Sequence, residues 1–117
     1  MRNVDYLLKR KAEFIEVMEC LPVGTLPEGS DWTFEVKLDG YRAIGVKSSR
    51  EAILYSRNRK NFNKRFPQIA KALADLPADT VIDGEVVALD ESGRSDFHRL
   101  QYLLGETPHA KCESSPD

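Results

Sequence analysis

The chain is poor in the residues that build metal or disulfide frameworks. Its two cysteines, Cys20 and Cys112, lie far apart and form no Cys-x-x-Cys, and its two histidines, His98 and His109, sit in regions of different character. No zinc-ligand spacing is present, and a disulfide is not expected in a reducing compartment. No apolar run approaches the roughly 20 residues of a membrane span. The opening Met1-Arg2-Asn3-Val4-Asp5 leads into no apolar stretch, so no secretory signal is read and the expected location is cytoplasmic. An excess of positive charge is also missing: 17 Lys and Arg face 19 Asp and Glu, for a net charge of -2. That excludes a generally polybasic nucleic-acid binder and leaves room for a local basic patch. What is present is 117 residues, 41% hydrophobic and 31% charged, the composition of one globular domain.

The spacing of Val4, Leu7, Leu8, Ile15 and Met18 predicts a helix within residues 3–18, capped by Asn3, with residues 21–31 a loop rich in Pro and Gly. From Trp32 the period becomes two. Trp32, Phe34 and Val36 alternate with Thr33, Glu35 and Lys37 in a first strand, and Asp39-Gly40 signals a turn. Residues 41–47 and 52–56 follow as strands of an antiparallel meander. Phe66, Ile69, Ala70, Leu73 and Leu76 give a helical stripe over 62–76, with Pro67 in its first turn and Pro77 as its stop. Residues 80–90 alternate again. Ser95 is then placed to cap a short helix carrying Phe97, Leu100, Leu103 and Leu104, with Gly105 past its end. The expected class is α+β, a mostly antiparallel sheet with flanking helices. The domain is expected over 1–106 and a mobile tail over 107–117.

Chemistry concentrates around Lys37. A lysine at a strand end projects where a ligand can reach it, and Arg42 opens the next strand and can point back to the same space. An amine and a permanent cation converging there suit an anionic substrate such as a phosphate, although a solvated hairpin turn fits the same six residues. Asp83 and Glu85 share one strand face across Gly84. Paired acids flanked by apolar residues need metal, hydroxyl or arginine, unless the strand is an edge facing water. Arg57, Arg59, Lys60, Lys64 and Arg65 form a basic window around Phe62 that suits either DNA phosphates or plain solvation.

Lys37-Leu38-Asp39-Gly40-Tyr41-Arg42 resembles the active-site motif of the covalent nucleotidyltransferases, in particular the ATP-dependent DNA ligases. Ser56-Arg57-Asn58 and Ile82-Asp83-Gly84-Glu85-Val86-Val87-Ala88 resemble the family's following motifs, in its order, and Asp96-Phe97-His98-Arg99-Leu100-Gln101 resembles the segment that follows in bacterial ligases of the end-joining repair type. The resemblance implies the first half of a nucleotidyltransferase (ATP-grasp-like) adenylation domain, using ATP and Mg²⁺ on nicked double-stranded DNA. It implies Lys37 as the nucleophile that takes AMP, Glu35 near the adenine, Arg42 and Arg57 at ribose and phosphates, and Glu85 at the ribose hydroxyl or the metal. An ordinary lysine, with a pKa of about 10.4, is neutral in about one molecule in a few thousand at pH 7, and the attacking form is the neutral one. The nearby acids oppose proton loss, so Arg42, Arg57 and bound Mg²⁺ have to outweigh them.

The sequence also departs from the family. Nothing after Gly105 resembles the later segments of a complete adenylation domain, so weak or absent activity and self-association through uncovered core surface are expected of the chain alone. An RNA ligase or capping guanylyltransferase fragment is the alternative within the superfamily. A non-catalytic DNA- or protein-interaction remnant that keeps the fold but not the reaction is the alternative from another functional class.

Overall fold

The computed structural model describes residues 10–106. β-Branched and aromatic residues at period two form three strands: β1 (Tyr41–Lys47), β2 (Ala52–Ser56) and β3 (Thr80–Val86). They make one antiparallel sheet in the order β2-β1-β3, with β1 in the centre. Two helices accompany it, α1 (Pro67–Ala74) between β2 and β3 and α2 (Phe97–Leu103) after β3. The α+β class and the antiparallel sheet are as expected. Among the described residues, no helix is long and apolar enough to cross a membrane.

Register divides the sheet into two faces, because directly paired residues point the same way. Tyr41, Ala43 and Gly45 share one face with Val86 and Leu54. α1 lies on that face, and Leu73 sits so close to Gly45 that a Cβ there would come within 2.7 Å of it. Phe62 and Phe66 complete the core, meeting each other edge to face at 5.4 Å, with Tyr41 against Phe62 at 6.3 Å. Arg65 lays its guanidinium over the Tyr41, Phe62 and Phe66 rings and pairs with Glu106. It is therefore part of the packing rather than a free basic contact. The opposite face carries Arg42, Ile44 and Val46 beside Glu85, Asp83 and Val81.

Five expectations are corrected. The helix expected over 62–76 is confined to Pro67–Ala74, because residues 62–66 turn to bring Phe62 into the core before Pro67 starts the helix. Residues 10–18, the described part of the expected first helix, are not helical; residues 1–9 lie outside the described residues. A short helix needs an apolar stripe to bury, and Ile15 and Met18 are exposed instead. The segment passes over the second face without regular structure, with Phe14 edge-on to Tyr55 at 5.4 Å and the Ala12 amide donating to Asp79. Residues 32–37 form no strand, and Trp32, Phe34, Val36 and Leu38 are exposed. Alternation defines two sides of a ribbon but supplies no hydrogen-bonding neighbour, and among the described residues none lies alongside. β3 stops at Val86, four residues short of the expectation. Asp96, not Ser95, caps α2, its carboxylate accepting from the Arg99 amide at 3.0 Å. The expected tail, 107–117, lies outside the described residues.

Candidate functional site

Three local devices position the candidate side chains. The first is the turn after β2. The fully buried Ser56 hydroxyl accepts from the Asn58 and Lys60 amides at 3.2 and 3.0 Å, and the Ser56 amide donates to the Lys60 carbonyl at 2.8 Å. This closes a tight turn, with Arg59 at φ 67°, that presents Arg57. Asn63 seals the edge of β2 by accepting from the Leu54 amide and donating to the Ala52 carbonyl, as a neighbouring strand would.

The second device is the β1–β3 ladder. Arg42 stands opposite Glu85, and Ile44 opposite Asp83. The Arg42 guanidinium donates through both Nε and Nη2 to the two Asp83 carboxylate oxygens, each at 2.6 Å. That bond, first among the causes, holds the Asp83 carboxyl below its ordinary range and raises Arg42 further above its own.

The third device fixes the chain just beyond Lys37. The Gly40 amide donates to Glu85 Oε1 at 3.2 Å, and the Asp39 amide to Ser95 Oγ at 2.9 Å. Gly40 does not have the positive φ of a hairpin glycine. It is required by closeness, since a Cβ on it would stand 1.9 Å from the Val86 carbonyl oxygen. Lys37 itself is exposed. It is near enough to Glu85 for its charge to act on the carboxylate. Burial pushes Glu85 above the ordinary glutamate range, while the Gly40 amide, Arg42 and Lys37 pull it back and Asp83 pushes it up.

The structure brings together Arg42, Asp83 and Glu85, while Lys37 stands exposed, three residues before the Gly40 amide that Glu85 holds. Glu35 is exposed on the unpaired segment 32–38. Arg57 faces a different neighbour, donating to Glu19 at 2.6 Å, while Arg42 also reaches the Met18 carbonyl at 3.5 Å. An open cleft of about 830 Å³ lies on this side, lined by Phe14, Glu16, Val17, Glu19, Arg57, Asn58 and Arg59, with Lys37 outside its lining. Sequence reasoning missed Glu19 and the Ser95–Asp39 bond. Both join distant segments, and no local spacing announces them. Among the described residues, no group of three or more His, Cys, Asp or Glu is placed to hold a metal ion.

The two acids of β3 pull in opposite directions with pH. Asp83, depressed, adds stability that is present above the ordinary aspartate pKa and lost as pH falls through its lower folded value. Glu85, raised, costs stability while ionised, and that cost is relieved as pH falls through its folded value. Glu85→Gln keeps an acceptor for Gly40 and removes the charge. It is expected to leave stability at pH 7 unchanged or higher, within about 1 kcal/mol, and to remove the gain that Glu85 gives as pH falls from 7 toward the ordinary glutamate range. Urea midpoints across that range check it, and a clear loss at pH 7 would contradict it.

Comparison with known proteins adds to this geometry. The family model described as ATP dependent DNA ligase domain matches residues 8–114. The multifunctional non-homologous end joining protein LigD of Pseudomonas aeruginosa is 42% identical over 81 residues, covering 68% of this chain and 10% of that protein. DNA ligase C1 of Mycolicibacterium smegmatis is 41% identical over 69 residues, covering 57% of this chain and 20% of its own. Among solved structures, the ligase domain of LigD from M. tuberculosis aligns with a TM-score of 0.51 at 36% identity, over 58% of this chain and 23% of that one. The chain thus spans between a tenth and a quarter of the length of these relatives. None of them favours an RNA ligase or a capping guanylyltransferase. With the family model matching almost from end to end, the chain belongs to the ATP-dependent DNA ligase domain family.

Proposed function

We propose that this chain carries the lysine-adenylating part of an ATP-dependent DNA ligase of the end-joining repair type, acting in the cytoplasm on nicked duplex DNA. The observation that carries the reading is the grouping of Arg42, Asp83 and Glu85 at one end of the β1–β3 ladder, with the turn that follows Lys37 tied down at two amides, one of them by Glu85 itself.

In the proposed reaction the neutral Lys37 amine attacks the α-phosphorus of ATP. An N–P bond forms, the bond from the α-phosphorus to the bridging oxygen breaks, pyrophosphate leaves, and the lysine proton passes to solvent. Arg42 and Arg57 lend positive charge to the phosphates, and Glu35 lies toward the base. Both arginines start out paired with carboxylates. The exposed Arg57–Glu19 pair is worth about 0–1 kcal/mol, so a phosphate can displace Glu19 at little cost. Mg²⁺ bound with a triphosphate would supply charge neutralisation. Such an ion takes most of its ligands from phosphate and water, and Glu85 can offer the one or two carboxylate oxygens it needs. The AMP then passes to the 5′-phosphate of a nick, and the 3′-hydroxyl displaces it.

With Lys37 exposed and both arginines engaged, charge compensation at the α-phosphate is thin, and adenylation by the chain alone is expected to be slow and substoichiometric. Prolonged incubation with ATP and Mg²⁺, followed by peptide mass spectrometry, should place AMP on Lys37 and nowhere else, and Lys37→Ala should abolish it. AMP on another lysine, or an adduct that survives Lys37→Ala, sinks the reading. The exposed row Trp32, Phe34, Val36 and Leu38 also supports self-association, which a monomer mass by light scattering would remove.

A further inference from the structure

We propose that Ser95 is a positioning residue for Lys37, its hydroxyl holding the turn that carries the nucleophile; this rests on Lys37 being the nucleophile. Residues 32–38 have no ladder partner among the described residues, so the fixed points nearest to Lys37 along the chain are the amides of Asp39 and Gly40. Gly40 is held by Glu85 and pressed against Val86. Asp39, closer to Lys37, is held by the part-buried Ser95 hydroxyl at 2.9 Å, across 56 residues of sequence.

The hydroxyl is itself rigidly mounted. Ser95 bridges Leu89 in antiparallel fashion, the Asp90 amide donates to the Arg94 carbonyl at 2.8 Å, and the Asp96 amide to the Ala88 carbonyl at 2.9 Å. The Asp90 carboxylate accepts from the Ser92 and Arg94 amides at 2.8 and 2.9 Å, closing the hairpin tip. Arg99, from the first turn of α2, donates to the Leu89 carbonyl at 2.9 Å. The loop between β3 and α2 is thereby a bracket that holds the Lys37 turn through Ser95 Oγ. Ser95 does not touch the nucleotide in this reading. Its loss should therefore lower the rate at saturating ATP and leave half-saturation alone.

The test compares the full chain with Ser95→Ala and Ser95→Thr on two readouts. The first is amide hydrogen exchange at Asp39 by NMR, with amides of β1 as the folding control. The second is the rate of AMP attachment to Lys37 as ATP is varied. Ser95→Ala should speed exchange at Asp39 by at least about tenfold, leave β1 protected, and slow attachment about tenfold at unchanged ATP half-saturation. Ser95→Thr, which keeps the oxygen, should restore both. Unchanged exchange and attachment in Ser95→Ala overturns the proposal. Equal impairment in both variants also overturns it, because the hydroxyl is then not the agent. Faster exchange rescued by Thr, with no AMP on Lys37 even in the unmodified chain, supports the Ser95 contact and instead defeats the reading of Lys37 as nucleophile.

Discussion

Gly40→Ala is expected to destabilise the fold by about 3 kcal/mol or more and to abolish AMP attachment to Lys37. The added Cβ would stand 1.9 Å from the Val86 carbonyl oxygen, 2.9 Å from its carbon and 3.0 Å from Val87 Cγ1. The first two are backbone atoms at the end of the strand that pairs with β1, and no side-chain rotation relieves them. Relief requires the chain at position 40 to move away from β3. That movement breaks the Gly40–Glu85 bond and drags the Asp39 amide from Ser95. Gly45→Ala provides the comparison. There the obstacle is Leu73 Cδ2 at 2.7 Å, the far end of a flexible side chain, and about 1–2 kcal/mol is expected. Denaturant midpoints of the two variants decide the matter. A Gly40→Ala protein as stable as the parent, or less affected than Gly45→Ala, would refute the close-approach argument.

Phe62→Ala is expected to cost about 3–5 kcal/mol, a large share of the stability of a domain this small. Phe62 is 2% exposed and touches Tyr41 and Phe66 edge to face. It also forms part of the floor beneath the Arg65 guanidinium, 5.3 Å from its ring centroid. The backbone stays, so the Phe62 amide can still donate to the Leu54 carbonyl at 2.7 Å, and the loss is one of packing. Phe62→Leu, which refills most of the volume, should recover about half of it. Urea denaturation checks both, and a loss under about 1 kcal/mol for Phe62→Ala would show that the aromatic cluster is not the centre of the core.

The strands β1, β2 and β3 and the helix α1 were legible in the sequence because each carries its own periodicity and its own stop, such as Pro77 or Ser48-Ser49. The stretch 32–37 carries equally clean alternation and is not a strand, because a strand is a relation between two segments and the pattern describes one. The region 10–18 failed for a related reason. Its stripe residues Ile15 and Met18 were spaced closely enough for a helix but find no surface to bury against, and it is Phe14, outside the stripe, that meets Tyr55. Among the candidate site residues, Lys37, Arg42 and Glu85 were readable from the motif; Arg42 and Glu85 stand opposite each other on the ladder, and Lys37 is exposed on the segment before it. Glu35 was read from the strand that does not form. Arg57 was read without Glu19, which reaches it from 38 residues away. Ser95 was assigned to the wrong partner, since a serine ahead of a helix looks like a cap until Asp96 takes that place.

Glu106 closes the chain back on itself. It follows α2, whose end is marked by Gly105 at φ 71°, and its two carboxylate oxygens accept from the Tyr41 hydroxyl and the Arg65 guanidinium. A shortened version cut at residue 105 would strand a phenol and a cation beside the aromatic core, so the boundary for any minimal expression product belongs beyond this glutamate.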